Sequence, residues 1–364
     1  MLDQVIEPEK DYVAKLANKY KKQWQNITKA RTDAIEVKKI LYENLKYFTS
    51  EDVDVVVFGS LARQEWTTSS DVDWTMLIDG QANLEHKPIA RKIAQVLGEL
   101  EFKGKPLKHP GSEGIFGNMS FSHEIVHHIG GQSDTNRNMT QRILLLLEAT
   151  SLRSFIINED GSCERTIRQI LNRYLEGDSN FHPQSNDESR IPRFLLNDIV
   201  RFWRTMCVDF AYKDWEQAGK KWALRNIKLR TSRKLLFVAG MLTVFSCFKN
   251  ESLKRDGDYI LKLQDHLLNF VHSTPLNIIV WTLQRIKREK DCVKLLDIYE
   301  QFLACMNKEP LRQHLESLNQ EDVYVDKDFL ECREISHQLQ VVLQDICFKE
   351  VSLLREFTCE YGVF

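Results

Sequence analysis

The chain has 364 residues, enough for two or three domains with an ample core. Its formal net charge of -2 excludes a global electrostatic attraction to nucleic acids or membranes, although a local basic patch is compatible with it. The longest apolar run, at 235–248, is too short to span a bilayer and predicts a buried helix.

The eight cysteines include no C-x-x-C pair and no spacing with histidine that is typical of a metal site. This pattern predicts reduced thiols, most of them in the core of a cytosolic protein. The first residues, MLDQVIEPEK, are acidic and polar and do not resemble a secretory signal. We therefore expect a cytoplasmic location and no membrane association.

Residues 8–48 are predicted to be helical, because apolar and aromatic side chains recur there at intervals of about four. The recurring residues are Tyr12, Leu16, Tyr20 and Trp24, and later Ile40, Leu41, Leu45 and Phe48. A stripe of this kind indicates a packing face and carries no chemistry. We expect residues 1–49 to form N-terminal helices and residues 50–150 to form a separate domain.

The stretch FGSLARQEWTTSSDVDW, at 58–74, follows a run of β-branched residues that predicts a buried strand. Gly59 and Ser60 lie at the turn after that strand, where glycine lets the backbone approach a ligand closely. Asp71 and Asp73 precede a second apolar strand, so they should project from the same face. Two carboxylates about 6 to 7 Å apart are unfavourable without a cation, so we expect a divalent metal between them.

This order of a Gly-Ser turn, an Arg-x-Glu element and a Ser-Asp-x-Asp segment before a strand resembles the signature of the nucleotidyltransferase superfamily with the polymerase-β-like fold. The Arg-x-Glu element, Arg63 and Glu65, is similar to that of bacterial signal-protein uridylyltransferases and their relatives. The close match covers 53–79, and a looser one continues through 129–149 and 192–240. The resemblance implies an α+β fold, with a small mixed-sheet nucleotidyltransferase core embedded in a mostly α-helical protein.

The same resemblance implies a Mg²⁺ site, with Mn²⁺ as a possible substitute, and Asp71 and Asp73 as its ligands and catalytic residues. Members of the superfamily usually take a third carboxylate from a later strand. The alternating segment MSFSHEIVHHI, at 119–129, can form such a strand, and Glu124 is the predicted third catalytic and metal-binding residue. Asp134 is the alternative.

Gly59 and Ser60 are expected to bind the triphosphate, together with free N–H groups at the start of the following helix. Arg63 has two interpretations: it contacts a phosphate, or it forms a structural ion pair with the acid two residues later. Trp66 is either a platform for the base or a packed aromatic, and packing is favoured. Trp74 stands where a smaller aliphatic residue is expected, and it can narrow the pocket.

Later elements follow from apolar periodicity and from loop composition. His86–Leu100 is predicted to be a helix, and residues 103–118 form a loop that is either a lid or a connector. Met139–Leu152 is predicted to be a core helix and 176–191 a polar loop. The last helix is expected from Asp328 to Phe357.

A basic cluster is predicted on consecutive helices of a C-terminal helical domain at 151–364. Lys221, Arg225 and Lys228 share one helical face and are the predicted nucleotide-binding cations of this domain. A second face of the same kind carries Asn197, Arg201 and Arg204. The alternative is a solvated surface whose charges pair with nearby acids, namely Asp198, Asp209 or Asp214.

The leading hypothesis is a Mg²⁺-dependent nucleotidyltransferase that moves a nucleoside monophosphate from an NTP to an acceptor and releases pyrophosphate. The resemblance to uridylyltransferases favours a protein side chain as acceptor. Addition to an RNA 3′ end and synthesis of a second messenger are alternatives, although the overall charge does not indicate an extended RNA-binding surface. A different class is a non-catalytic nucleotide-binding partner in a toxin–antitoxin or defence system. The sequence leaves the base, the acceptor and the oligomeric state open.

Overall fold

The computed structural model describes residues 5–110, 115–157, 161–177, 191–216, 219–248, 258–349 and 353–362. These residues divide into two compact units. The helical unit comprises the described residues of Met1–Thr28 and Asp178–Phe364, and the sheet unit those of Lys29–Gly177. The loop predicted at 176–191 lies, except at its two ends, outside the described residues.

The strands assigned within these ranges are β1 (Val53–Phe58), β2 (Trp74–Ile78), β3 (Glu101–Phe102), β4 (Lys105–Pro106), β5 (Asn118–Phe121) and β6 (Ala149–Ser151). The first eight α-helices are α1 (Tyr12–Tyr20), α2 (Gln25–Leu45), α3 (Gly59–Ala62), α4 (His86–Glu99), α5 (Ser122–His127), α6 (Asn136–Leu147), α7 (Leu152–Ile157) and α8 (Ser162–Glu176). The later ones are α9 (Arg193–Glu216), α10 (Trp222–Lys228), α11 (Lys234–Phe245), α12 (Tyr259–Val271), α13 (Pro275–Arg285), α14 (Glu289–Asn307), α15 (Glu309–Ser317), α16 (Lys327–Gln344) and α17 (Leu353–Tyr361).

The sheet unit contains a four-stranded mixed sheet of order β5-β2-β1-β6. β1 is antiparallel to both of its neighbours, β2 and β6. β5 runs parallel to β2, so the first residue of β5 lies opposite Thr75 and the last lies opposite Ile78. The two central strands are buried along their whole length. This small mixed sheet in a mostly helical protein confirms the predicted α+β class.

Side chains of the central strands alternate between two covered faces of the sheet. One face packs against α2 and α4 in a continuous apolar core that includes Ala34, Val37, Leu41, Leu45, Val53, Val55, Val57, Trp74, Met76, Ile78, Ile93 and Leu97. The other face, near α5 and α6, lines a small apolar cavity with Phe58, Thr75, Leu77, Ile125, Leu144 and Leu145. Because both faces of the two central strands are covered, the ends of these strands are where a ligand can meet them.

The segment at 119–129, predicted to be an alternating strand, is divided between β5 and α5. The strand ends at Phe121. In the helix that follows, Ile125 and Val126 are buried next to each other while Glu124 is exposed, which is the burial pattern of a helix and not of a strand. The strand prediction was therefore wrong beyond Phe121, the third residue of this segment.

The core helix predicted at Met139–Leu152 ends earlier, at the last residue of α6. Glu148 leaves helical geometry, with φ -151° and ψ 43°. Ala149 then pairs with Phe58 at the edge of β1. A buried helix and a buried strand have similar apolar composition, so the run RILLLLEA gave no sign of this break.

Two further predicted helices are confirmed with adjusted ends, whereas the predicted terminal helix is divided. α4 matches His86–Leu100, and α11 is the buried helix expected at 235–248. The terminal helix expected at Asp328–Phe357 is divided into α16, a π-helical turn at Asp345–Lys349 and α17, with 350–352 outside the described residues. Among the described helices, none is both long and apolar enough to cross a membrane.

The helical unit holds its N-terminal segment through side chains of distant helices. α1 is followed by Lys21, which has a left-handed conformation (φ 52°). Asn277 Oδ1 accepts hydrogen bonds from the N–H groups of Tyr12 and Val13 (3.1 and 3.3 Å). The Glu300 carboxylate accepts hydrogen bonds from two N–H groups in the first turn of α2 (2.8 and 2.9 Å). A negative charge is favourable there because of the helix dipole.

Asp54 is a buried acid within β1. Its Oδ2 accepts a hydrogen bond from the Ser151 hydroxyl (2.6 Å) in the neighbouring strand β6, whereas its Oδ1 has no hydrogen-bond partner within the described residues. Burial raises the pKa of Asp54 to about 6, against the hydrogen bond from Ser151, which lowers it. This carboxyl group therefore binds its proton more tightly in the folded chain than in the unfolded one.

Replacing Asp54 with Asn should make the stability of the sheet unit less dependent on pH. The folded pKa is raised from 3.8 to about 6, so the stabilising effect of the protonated Asp54 is complete below pH 3.8 and is lost as pH rises through 6. From pH 4 to pH 8, the free energy of unfolding of Asp54→Asn should rise by about 2 to 3 kcal/mol relative to that of the natural chain. Amide hydrogen exchange of the β1 peptide in urea at both pH values measures this, with exposed Asp52→Asn as the matched control. An equal pH dependence in the natural chain and Asp54→Asn would contradict the raised pKa.

Candidate functional site

One end of the four-stranded sheet, which we call the motif end, brings together four segments of the chain. β1 ends there at Phe58, whose N–H donates to the carbonyl oxygen of Asp73 (2.9 Å), the residue before β2. The N–H of Gly117, just before β5, donates to the carbonyl oxygen of Trp74 (2.7 Å). Glu148 directly precedes β6, whose first residue pairs with the last residue of β1. The strand register therefore sets which side chains meet at this end.

Gly59 and Asp73 make the closest approach at the motif end. Gly59 has φ +66°, and a β-carbon at this position would lie 2.7 Å from Asp73 Oδ2. The positive φ favours glycine and this contact requires it, so the carboxylate lies directly against the backbone of the Gly-Ser turn. α3 begins at this turn and has four residues, so its free N–H groups carry only the dipole of a single turn.

Asp71 and Asp73 flank Val72, which is buried in the core shared with α2 and α4. Because side chains alternate along an extended chain, the two carboxylates project away from that core. Asp71 is exposed and Asp73 is half-buried. A parallel β-bridge pairs Asp71 with Lys108, and the Val72 N–H donates to the Lys108 carbonyl oxygen (2.8 Å). The first aspartate is thus held against the hairpin formed by β3 and β4.

The groups at the motif end fit a divalent cation that prefers oxygen ligands. Protein-bound Mg²⁺ usually takes one or two carboxylates and completes its coordination with water and substrate phosphates. Asp71 and Asp73 supply two carboxylates beside a turn that lets a ligand approach. In the part of the chain that the structure describes, no three His, Cys, Asp or Glu side chains form a metal-binding group. Within those residues, Asp71 and Asp73 are the two carboxylates that could hold such a cation.

Glu124 lies away from this site. β5 runs parallel to β2, so it ends beside Ile78, at the end of β2 opposite to Asp73. The two ends of β2 are roughly 13 Å apart. Glu124 follows in the first turn of α5, where its side chain is exposed. The structure therefore does not bring Glu124 together with the two aspartates.

Asp134, the alternative third acid, takes part in a buried ion pair. Both of its carboxylate oxygens accept hydrogen bonds from Arg142 (3.2 and 2.9 Å), and the side chains of the acid and the arginine are 3% and 0% exposed. Arg142 also donates to the Tyr174 hydroxyl (2.7 Å) and to the Ile125 carbonyl oxygen (3.1 Å). Asp134 precedes α6, and the other end of this helix lies at the motif end. The length of the helix, roughly 18 Å, therefore separates Asp134 from the motif end. These contacts give Asp134 a structural role between α5, α6 and α8.

Arg63 lies in buried ion pairs with two acids. Its Nε donates to Glu65 Oε2 (2.9 Å), and its Nη1 donates to Glu148 Oε2. The three side chains are 5%, 3% and 0% exposed. Of the two interpretations of Arg63, these contacts correspond to the structural ion pair. The guanidinium group joins the loop after α3 to the start of β6 and so fixes the Gly-Ser turn between them.

Two residues at the motif end, Glu148 and Lys108, were missed by sequence reasoning. Glu148 ends a buried apolar run, and an acid at such a position needs a cationic partner. The Arg-x-Glu element offered that partner, so this pairing had a signal in the sequence. Lys108 lies in the segment 103–118, and its pairing with Asp71 had no local signal because it depends on how the β3–β4 hairpin docks.

The two tryptophans of the motif are packed in the core. Trp66 and Trp74 are both 1% exposed and belong to the apolar core against α2 and α4. Packing of Trp66 is therefore confirmed. Trp74 points to the face opposite to that of Asp73, because the two residues are adjacent in an extended segment. It does not narrow the space in front of the aspartates.

The basic residues predicted to bind nucleotide lie in the helical unit, whereas the two aspartates lie in the sheet unit. Lys221 is exposed at the start of α10, and Arg225 and Lys228 are half-buried. Burial lowers the pKa of Arg225, and the nearby charges of Asp214 and Asp209 act in the opposite direction. These two acids belong to the set named in the alternative of a solvated surface. The role of the three basic residues in nucleotide binding stays a prediction.

Comparison with known families agrees with the geometry of the motif end. A family model described as "Nucleotidyltransferase domain" matches residues 34–105 of the 364. The match spans the Gly-Ser turn and both aspartates, and it supports the nucleotidyltransferase superfamily, the transfer of a nucleoside monophosphate as the general chemistry, and an NTP as substrate. Comparison with curated proteins and with solved structures gave no match.

Gly59→Ala should abolish NTP binding, because the new β-carbon would lie 2.7 Å from Asp73 Oδ2 and displace that carboxylate. Gly104→Ala is the matched control: Gly104 also has a positive φ (+74°) but has nothing within 4 Å of an added β-carbon. Both variants carry a backbone strain of about 1 to 2 kcal/mol, so only the contact with Asp73 distinguishes them. Calorimetric titration with Mg²⁺ and each NTP measures binding, and circular dichroism checks the fold. Equal NTP binding by the two variants would contradict the close approach.

Arg63→Met should destabilise the sheet unit by about 3 to 5 kcal/mol, because it leaves two buried carboxylates without their cation. The matched control is Arg91→Met, on the exposed surface of α4. Hydrogen exchange of the β1 and β6 peptides in urea measures the free energy of opening. A variant with unchanged stability but weakened NTP binding would show that Arg63 acts through phosphate and not through its ion pairs.

Proposed function

We propose that this chain is a metal-dependent nucleotidyltransferase that transfers a nucleoside monophosphate from an NTP and releases pyrophosphate. The observation that carries the proposal is the contact between Asp73 and the backbone of Gly59. The Gly-Ser turn suits a phosphate, but the Asp73 carboxylate beside it repels a phosphate unless a cation is bound between them. Their juxtaposition is therefore the arrangement expected for a cation and a triphosphate that bind together.

Asp71 and Asp73 would hold Mg²⁺ or Mn²⁺. A divalent cation held by these groups neutralises charge on the phosphates and lowers the pKa of an acceptor hydroxyl. Gly59 allows the phosphates to approach the backbone, and the half-exposed Ser60 hydroxyl can donate to a phosphate oxygen. The Glu65 N–H donates a hydrogen bond to the Ser60 carbonyl oxygen (2.7 Å), which holds this serine in place.

In the proposed reaction, an acceptor oxygen forms a bond to the α-phosphorus while the bond from that phosphorus to the pyrophosphate oxygen breaks. The acceptor's proton leaves with solvent or a nearby base, and the pyrophosphate carries away the electron pair of the broken bond. We propose a protein side chain as acceptor, on the basis of the resemblance of the Arg-x-Glu element to that of the uridylyltransferases. An RNA 3′ end or a small nucleotide would be identified by the same assay.

A non-catalytic nucleotide-binding partner is the second candidate. The observation in its favour is that neither Glu124 nor Asp134 lies with the two aspartates, so within the described residues the site has two carboxylates and not three. A site of this kind could bind a metal–NTP complex without catalysing transfer. Activity and binding must therefore be measured on the same variants.

Transfer of label from each of four α-³²P-labelled NTPs to lysate fractions, with Mg²⁺ or Mn²⁺, tests the proposal. Label should appear in one fraction, and Asp73→Asn should reduce the rate by about a thousandfold, which corresponds to about 4 kcal/mol of transition-state stabilisation. Asp71→Asn should have a similar effect, because both acids hold the cation.

Glu124→Gln is the matched control in this assay. Its position beyond the opposite end of β2 leads us to expect full activity, whereas a third metal ligand would lose activity as the aspartates do. If the natural chain binds NTP in a metal-dependent way but no fraction is labelled, the result would contradict the proposed transferase activity. It would favour the non-catalytic nucleotide-binding partner.

A further inference from the structure

We propose that Lys108 is a phosphate-binding residue of this site, which contacts the triphosphate beside Asp71. The inference rests on the proposed nucleotide site and adds to it a cation from outside the Gly-Ser and Asp-x-Asp motifs. It also lies outside the segment that matches the nucleotidyltransferase family model, which ends at residue 105.

The backbone fixes where the Lys108 side chain begins. Asp71 and Lys108 are partners in a parallel β-bridge, and the Val72 N–H donates to the Lys108 carbonyl oxygen (2.8 Å). Partners in such a bridge lie about 5 Å apart, and their side chains leave the backbone on the same side. Val72 points into the core, so the side chains of Asp71 and Lys108 point away from it together.

The neighbours of Lys108 hold it rigidly. Leu107 is 7% exposed and packs in the same apolar core as Val72. Its N–H donates to the Leu100 carbonyl oxygen (2.9 Å), which closes the β3–β4 hairpin at this point. The backbone of Lys108 is thus fixed on both sides before any ligand binds, which lowers the entropic cost of using its side chain for binding.

The charge of Lys108 is available to a ligand. Its side chain is exposed, and the described part of the chain shows no ion pair between Lys108 and Asp71 or any other acid, whereas Lys103 in the same hairpin pairs with Asp33 (2.6 Å). An ammonium group beside a metal-binding carboxylate is well placed to neutralise a phosphate, and lysine is a common phosphate ligand as a point charge. With two carboxylates already present, a triphosphate needs such positive charge in addition to the cation.

The simplest probe is inorganic tripolyphosphate with Mg²⁺, titrated by calorimetry, because it contains the phosphates without a base or sugar. Lys108→Ala should weaken its binding by about tenfold or more, and Lys108→Glu by a further factor of about ten. Lys108→Arg should stay within about threefold of the natural chain, because it keeps the charge. Lys92→Ala, at an exposed site on α4, is the matched control and should bind as the natural chain does.

The salt dependence gives a second readout. The slope of log affinity against log salt concentration should be shallower in Lys108→Ala, because one charge contact is lost. Normal tripolyphosphate binding in Lys108→Ala and Lys108→Glu, while the natural chain and Lys92→Ala also bind, would overturn the role of Lys108 alone. Failure of the natural chain to bind either tripolyphosphate or any NTP would instead overturn the proposed nucleotide site, and the Lys108 inference with it.

Discussion

The antiparallel register of β1 and β2 is the constraint on which the site depends. It places the end of one strand beside the start of the next, so that Gly59 and Asp73 touch although 13 residues separate them in the sequence. A shift of one residue would turn Asp73 into the core that contains Val72 and Trp74. Both central strands are buried along their whole length, so the pairing that builds the core also positions the site.

Charge at the motif end is divided between a buried part and an accessible part. Arg63 lies between Glu65 and Glu148, with all three side chains withdrawn from water. This network fixes the segments on either side of the Gly-Ser turn and directs its charges towards each other. Asp71 and Asp73 flank the buried Val72, the first exposed and the second half-buried, and a carboxylate pair of this kind favours a cation. The buried network supports the site, and the accessible pair would carry the chemistry that we propose.

The sequence predicted the parts of the site that depend on local order. The turn after β1 and the pair of aspartates before β2 could be inferred because each rests on residues close in the chain or on alternation along one strand. The α+β class followed from the resemblance of this motif to that of the nucleotidyltransferases. The helix at His86–Leu100 was also predicted, because its apolar stripe is regular. These are features in which local propensity and the final fold agree.

The rest of the site depends on how distant segments dock, and composition does not determine this. Glu124 was placed on a strand because the segment 119–129 was interpreted as alternating, but the chain changes to a helix at Ser122 and β5 runs parallel to β2. That direction alone decides at which end of the sheet the acid lies. Glu148 and Lys108 reach the motif end through contacts across 85 and 37 positions, the first with Arg63 and the second with Asp71. Neither contact leaves a periodic pattern in the sequence, and the one signal was that the acid at the end of the apolar run before β6 needs a cationic partner.

The most direct test of the central claim is a crystal structure of the chain with Mn²⁺ and a non-hydrolysable NTP analogue, with the metal located by its anomalous scattering. We expect a manganese peak bound by the carboxylates of Asp71 and Asp73, with the triphosphate against Gly59 and Ser60. A metal and triphosphate bound elsewhere in the chain, with both aspartates free of ligand, would contradict the assignment of the motif end as the nucleotide site.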